Sequence, residues 1–132
     1  MPSQGSLHAA GWDLRAAVEQ PVVIQPKGSV SIPTGLQLAI PAGWEGQVRP
    51  RSGLAARLAV TLTNSPGTID ADYRGEIKVL MINHGSQVVT IKRGERIAQL
   101  LFAPVPKVGW QEVATLEPTD RGGGGFGSTG SD

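Results

Sequence analysis

The chain has 132 residues, no cysteine, two histidines, and twelve basic against eleven acidic side chains for a formal net charge of +1. That length suits one domain with one core, and the missing cysteines exclude disulfides, thiolate metal sites and cysteine nucleophiles. Near-neutral charge without long like-charge runs gives no broad footprint for nucleic acid or an anionic membrane, so neither is expected as a partner.

The N-terminus, Met1-Pro2-Ser3-Gln4-Gly5, has no apolar signal region, and no stretch approaches the length needed to span a bilayer. An intracellular soluble protein is the expectation, cytoplasmic by default with nucleus or organelle left open; a processed precursor would look the same. Eighteen glycines and ten prolines then punctuate the chain, and the apolar residues between them alternate with period two. Val22 to Ile24, Val30 with Ile32, and Leu36 with Leu38 and Ile40 read as short strands divided by Pro-Xaa-Gly turns. Ser52 to Leu58 alone reads as helix. Glu76 to Asn83 and Gln87 to Ile91 flank Asn83-His84-Gly85-Ser86 as a hairpin, Arg96 to Phe102 forms another strand, and Val108 to Leu116 reads as a last one. The fold class is all-β: a single-domain jelly-roll-like β-barrel or sandwich over residues 1–120, with one short helix and a flexible glycine-rich C-terminal arm over residues 121–132. His8 and His84 are far apart, a poor basis for a zinc site or catalytic dyad, and both are expected at the surface.

Several polar segments suit chemistry. Arg49-Pro50-Arg51-Ser52-Gly53-Leu54 sets two arginines and a hydroxyl where a strand enters the helix, either as a phosphate cradle or as a Ser52 cap beside solvated arginines. In Gly67-Thr68-Ile69-Asp70-Ala71-Asp72-Tyr73-Arg74-Gly75-Glu76, an extended backbone puts Asp70 and Asp72 on one side as general base and ion-pair partner; an ordinary turn uses the same residues. Asn64 and Tyr73 bracket this run with a base-edge hydrogen-bonding amide and a ring suited to a sugar, or serve structure alone. Asp13, in Ala10-Gly11-Trp12-Asp13-Leu14, must be hydrogen-bonded, ion-paired or near a metal. Gln99 is a lone amide in a strand, open to either role. In the tail, Arg121 precedes four glycines, then Phe126, Gly127, Ser128, Thr129 and Gly130. Bare backbone, a guanidinium fork, hydroxyls and a flat ring suit a nucleotide lid, while a frayed Gly/Ser terminus has a similar composition.

In order, the segments Ala10 to Leu14, Pro50 to Leu54, Gly67 to Gly75, Arg96 to Leu101 and Arg121 to Gly130 resemble the five motifs of the trimeric dUTPases. The resemblance implies a homotrimer with shared active sites, each closed by a glycine-rich tail. It implies Mg²⁺-assisted hydrolysis of dUTP to dUMP and pyrophosphate, which limits uracil incorporation into DNA and supplies dUMP for thymidylate synthesis. Asp70 would be the general base that activates water for attack on the α-phosphorus, with Ser52 at the scissile bridge and Arg121 on the γ-phosphate. Asn64 and the backbone of Gly67, Thr68 and Ile69 would bind the uracil edge, and Tyr73 would pack on deoxyribose. Arg51, Ser52, Gly53, Lys78 and Gln99 complete the substrate contacts, Phe126 stacks on uracil, and Gly127, Ser128 and Thr129 finish the phosphate shell. Asp13 would hold Mg²⁺ through water.

Two features depart from the family pattern. Trp12 stands where a smaller residue is usual, and Met1 to Ala9 is a short lead where a further strand is usual, which leaves a sheet edge open. A dCTP deaminase or bifunctional deaminase-dUTPase is the alternative within enzymes. A non-catalytic trimer that keeps the nucleotide site as a switch is the alternative outside them.

Overall fold

A computed structural model describes residues 1–125, and its backbone hydrogen bonds divide the chain into three antiparallel sheets. The elements are β1 (Ser3–Gln4), β2 (Trp12–Arg15), β3 (Val22–Ile24), β4 (Ser29–Pro33), β5 (Trp44–Arg49), α1 (Ser52–Leu58), β6 (Val60–Leu62), β7 (Gly67–Ile69), β8 (Lys78–Asn83), β9 (Val89–Ile91) and β10 (Arg96–Pro104). One sheet runs β1-β2-β10-β5-β7, the second β3-β9 and the third β4-β8-β6. This is the jelly-roll sandwich expected from the short punctuated strands; among the described residues the sheets do not close into a barrel.

Period-two alternation builds the core. On β8, Val79, Met81 and Asn83 are buried while Lys78 and Leu80 are exposed; on β9, Val89 and Ile91 face inward around exposed Thr90. β10 breaks the alternation: its register against β2 shifts between Arg96 and Ala98, and both Ile97 and Ala98 are buried. The bulge re-aims the strand just ahead of Gln99. Both histidines are exposed. Among the described residues no helix is long and apolar enough to cross a membrane.

Several expectations need correction. β8 and β9 do not form a hairpin: β8 lies between β4 and β6, and β9 pairs with β3. Buried Asn83 causes the divergence. Its Nδ2 donates to the Ile24 carbonyl at 3.1 Å and the Gln87 carbonyl at 2.8 Å, and its Oδ1 accepts from the Gly85 N–H at 2.9 Å. The side chain thus ties the end of β8 to β3 and steers the turn across to the second sheet. Leu36 to Ile40 is not a strand, although Leu36 and Leu38 are half-buried and Ile40 is buried; its recorded main-chain link is the Leu36 carbonyl accepting from Ile77 N–H. Val108 to Leu116 is not a strand either, and all of it is exposed. The lead segment, for its part, contributes the two residues of β1, with Ser3 opposite Asp13 and Gln4 opposite Trp12.

Candidate active site

The strand-to-helix junction is shaped by backbone angles. Arg51 precedes α1 in an extended conformation, and Ala59 ends it in the left-handed region with φ of 52°. Ser52 is the first helical residue rather than the cap, so its hydroxyl is not used to close the helix and points from an exposed position. The capping alternative for Ser52 is thereby removed.

Arg51 turns back onto β2. Its Nε donates to Asp13 Oδ1 at 3.1 Å and its Nη1 to the Arg96 carbonyl at 3.2 Å, while Arg96 Nη1 donates to Asp13 Oδ2 at 3.2 Å. Asp13 is 8 % exposed, so the carboxylate is held by two guanidinium groups in a mostly dry setting. Two cations against one anion leave a local positive excess, which suits phosphate. Gln99 sits in register between Asp13 on β2 and Arg49 on β5, so the three side chains share the outer face of the large sheet. A Cβ on Gly11 would lie 2.5 Å from Gln99 Oε1, so the bare glycine makes room for that amide. Sequence reasoning missed Arg96 as the second partner of Asp13. The fourth motif contains it, but no spacing rule joins residues 13 and 96.

The third motif builds a separate cleft of about 480 Å³. Asn64, Thr68, Ile69, Asp70, Tyr73 and Lys78 line it together, joined by Ser31, Glu76, Ile77 and Leu80, which sequence reasoning did not single out. Register explains two of these: Ser31 on β4 lies opposite Leu80 on β8, and both are exposed. Gly67 is buried beneath Asn64, whose Nδ2 would come within 3.1 Å of a Cβ there. Beyond β7 the backbone turns, with the Tyr73 N–H bonded to the Asp70 carbonyl at 3.1 Å, so Asp70 and Asp72 do not share one face of an extended strand. The Tyr73 ring lies over Gly75, and its hydroxyl donates to the Glu76 carbonyl at 3.0 Å. Glu76 Oε1 in turn accepts from Gly35 N–H at 2.8 Å, which ties this turn to the end of β4. Asp70 also edges a second cleft of about 690 Å³ with Trp44, Glu45, Asp72 and Lys107.

Among the described residues no side-chain hydrogen bond joins the Asp13–Arg51–Gln99 group to the Asn64–Asp70–Tyr73 group, and neither cleft that Asp70 lines includes Asp13, Arg51 or Gln99. Arg121 shares no side-chain hydrogen bond with either group among the described residues: it is exposed, and its Nε donates to the Gly124 carbonyl at 2.9 Å. Phe126, Gly127, Ser128 and Thr129 lie outside the described residues. For Mg²⁺, the donor set is a single carboxylate; among the described residues no group of three acidic or histidine side chains converges. Asp13 uses two of its lone-pair sites on arginines and retains others for a water O–H, which fits an ion carried by phosphates and touched through water.

The dUTPase family model matches residues 1–130. The chain belongs to the dUTPase family. As a dUTPase it is an enzyme, a dUTP diphosphatase. Among solved structures it is similar to a glycine-to-serine variant of the Staphylococcus bacteriophage 80alpha dUTPase with dUpNHpp, at 26 % identity and TM-score 0.89 over 99 % of this chain and 92 % of that one. It is also similar to an aspartate-to-glutamate variant of that phage dUTPase, at 27 % identity and TM-score 0.87 over 97 % and 90 %. A dUTPase from phage phi11 of S. aureus, described as coordinating a structural Mg(II) ion, shares the fold at 23 % identity and TM-score 0.78 over 87 % and 90 %.

Proposed function

We propose that the chain hydrolyses dUTP to dUMP and pyrophosphate by attack of water on the α-phosphorus, so lowering the dUTP available for incorporation into DNA and supplying dUMP for thymidylate synthesis. The observation that carries this reading is the single cleft that gathers Asn64, Thr68, Ile69, Asp70, Tyr73 and Lys78 in a chain whose family match spans residues 1–130. Asn64 and the backbone from Gly67 to Ile69 offer amide donors and acceptors to a pyrimidine edge. Tyr73 offers a flat ring to the sugar, where a 2′-hydroxyl would crowd it. Asp70 accepts a proton from water as the new P–O bond forms, and the bond from the α-phosphorus to the bridging oxygen breaks to release pyrophosphate.

Arg51, Ser52, Gly53 and Gln99 bind the phosphates, Lys78 lines the nucleotide cleft, and Arg121 with Phe126 to Thr129 closes over the site. Asp13 would hold Mg²⁺ through a water, and the ion would supply charge neutralisation to the phosphates. The ion pairs to Arg51 and Arg96 hold Asp13 in place for that role.

We further propose a homotrimer in which each active site is shared, so that the cleft of one subunit faces the Asp13–Arg51–Gln99 group of another. Two observations support this: among the described residues the two groups share no side-chain hydrogen bond, and two strand-patterned segments, Leu36 to Ile40 and Val108 to Leu116, have no strand partner there. Trp110 is 96 % exposed in the second segment, an apolar cost that a neighbouring subunit would remove. A nucleoside triphosphate substrate supports an intracellular setting, with the cytoplasm as the simplest one.

The test is product identification after incubation with dUTP, dCTP or UTP and Mg²⁺. The reading expects dUMP and pyrophosphate from dUTP, with little turnover of the other two. Deamination of dCTP, equal turnover of UTP, or orthophosphate as first product from dUTP overturns it.

A further inference from the structure

Arg57 stands in the last turn of α1, four residues beyond Gly53. That spacing puts both on one face of the helix, and a helical side chain leans back toward the N-terminal end. The lean is visible here: a Cβ on Gly53 would lie 3.5 Å from Arg57 Nη2 and 3.7 Å from its Cζ and Nη1. The guanidinium therefore covers the bare backbone of Gly53. A last-turn arginine that served only the helix would instead reach the terminal carbonyls, where a cation is favoured.

The charge state of the neighbourhood sharpens the point. Both ion pairs among the described residues belong to Asp13, with Arg51 and with Arg96. Arg51 also donates to the Arg96 carbonyl, so two of its three nitrogens are already engaged. Arg57 has no acidic partner among the described residues, and it is exposed. A free planar fork folded over a glycine beside an unused serine hydroxyl suits two phosphate oxygens better than any other ligand of a nucleotide site.

We propose that Arg57 is a further substrate-binding residue, contacting the β- or γ-phosphate of the bound nucleotide beside Ser52 and Gly53. The inference rests on the dUTP reading and adds a phosphate ligand to that site.

The test titrates dUpNHpp, inorganic pyrophosphate and deoxyuridine, with Mg²⁺, against wild-type protein and the variants Arg57→Gln, Arg57→Lys and Lys92→Gln. Lys92 is an exposed turn residue that controls for loss of one positive charge. Arg57→Gln should weaken dUpNHpp and pyrophosphate about tenfold, as loss of a charged hydrogen bond does, with deoxyuridine unchanged. Arg57→Lys should recover part of the loss, and Lys92→Gln should lose nothing. Unchanged dUpNHpp and pyrophosphate affinity in Arg57→Gln overturns the proposal, as does an equal loss for deoxyuridine, which would mark a structural role. If wild-type protein does not hydrolyse dUTP, the activity reading fails separately, and the pyrophosphate titration still decides Arg57.

Discussion

Asp13 and Arg51, on β2 and at the entry to α1, meet at 3.1 Å between Oδ1 and Nε, and this pair holds the proposed phosphate-binding side of the site in place without a ligand. The carboxylate is 11 % exposed at its side chain and the guanidinium 21 %, so water screens the pair only in part. Arg96, at 47 %, is the wetter partner.

Removing Asp13 should therefore be costly. Asp13→Ala leaves the Arg51 guanidinium half-buried without its anion, and about 1–3 kcal/mol of stability should be lost after allowing for the solvent exposure of Arg96. Urea unfolding at fixed protein concentration measures it. An unchanged midpoint would show that the arginines find other partners.

Asp70 carries the proton in the proposed reaction. Asp70→Asn keeps the volume and removes the base, so turnover should fall by about a hundredfold or more while dUpNHpp still binds. Near-wild-type turnover in a folded variant would assign water activation to another group.

Gly75 is predicted to matter through Tyr73. A methyl group at position 75 overlaps the Tyr73 ring and hydroxyl, so Gly75→Ala must displace the ring and break its 3.0 Å bond to the Glu76 carbonyl. Discrimination between dUTP and UTP, read as the ratio of kcat/KM values, should drop about tenfold, the scale of one misplaced contact. A ratio equal to wild type would remove Tyr73 from sugar selection.

Asn83 is predicted to be a stability residue only. Asn83→Ala leaves the buried Ile24 carbonyl and the part-buried Gln87 carbonyl and Gly85 N–H without their partner, and should cost about 2–4 kcal/mol. Thermal unfolding should show the loss, with KM for dUTP unchanged at a temperature where the variant is folded. A shifted KM would give Asn83 a part in the site.

The same residue marks where the sequence stops being legible. Alternation located β4 and β8 because each buries one face, but alternation does not say which strand lies beside which. An Asn after Ile82 reads as a turn signal; that its side chain reaches Ile24 is a long-range fact. Leu36 to Ile40 and Val108 to Leu116 show the converse, since an apolar alternation reports a face that needs cover rather than a ladder within the same chain. The candidate site was legible as five motifs: the second, third and fifth are dense in polar residues and glycines, and the first and fourth set Asp13 and Gln99 within apolar runs. Ser31 and Leu80 were not, because a cross-strand register brings them to the cleft and their own neighbours give no hint of it; Arg96 opens the fourth motif, but its pairing with Asp13 is a long-range contact.

Truncation after Asp120 tests the tail. Residues 117–123 are exposed, Arg121 bonds within its own turn, and among the described residues no core residue lies beyond Leu100, so removing residues 121–132 should leave the fold and its assembly intact. Catalysis should not survive as well. If Arg121 meets developing charge on the phosphates, its loss alone is worth roughly a thousandfold in phosphoryl transfer, and the loss should fall more on kcat than on KM. Size and steady-state kinetics of the truncated and full-length proteins measure the two halves of this expectation. In the full-length protein, hydrogen exchange should show protection of the tail amides on addition of dUpNHpp with Mg²⁺, because a glycine-rich segment gains order only from what it closes over. A truncated protein that turns dUTP over at the full-length rate would leave Arg121 outside the mechanism and make the tail a terminus without a catalytic role.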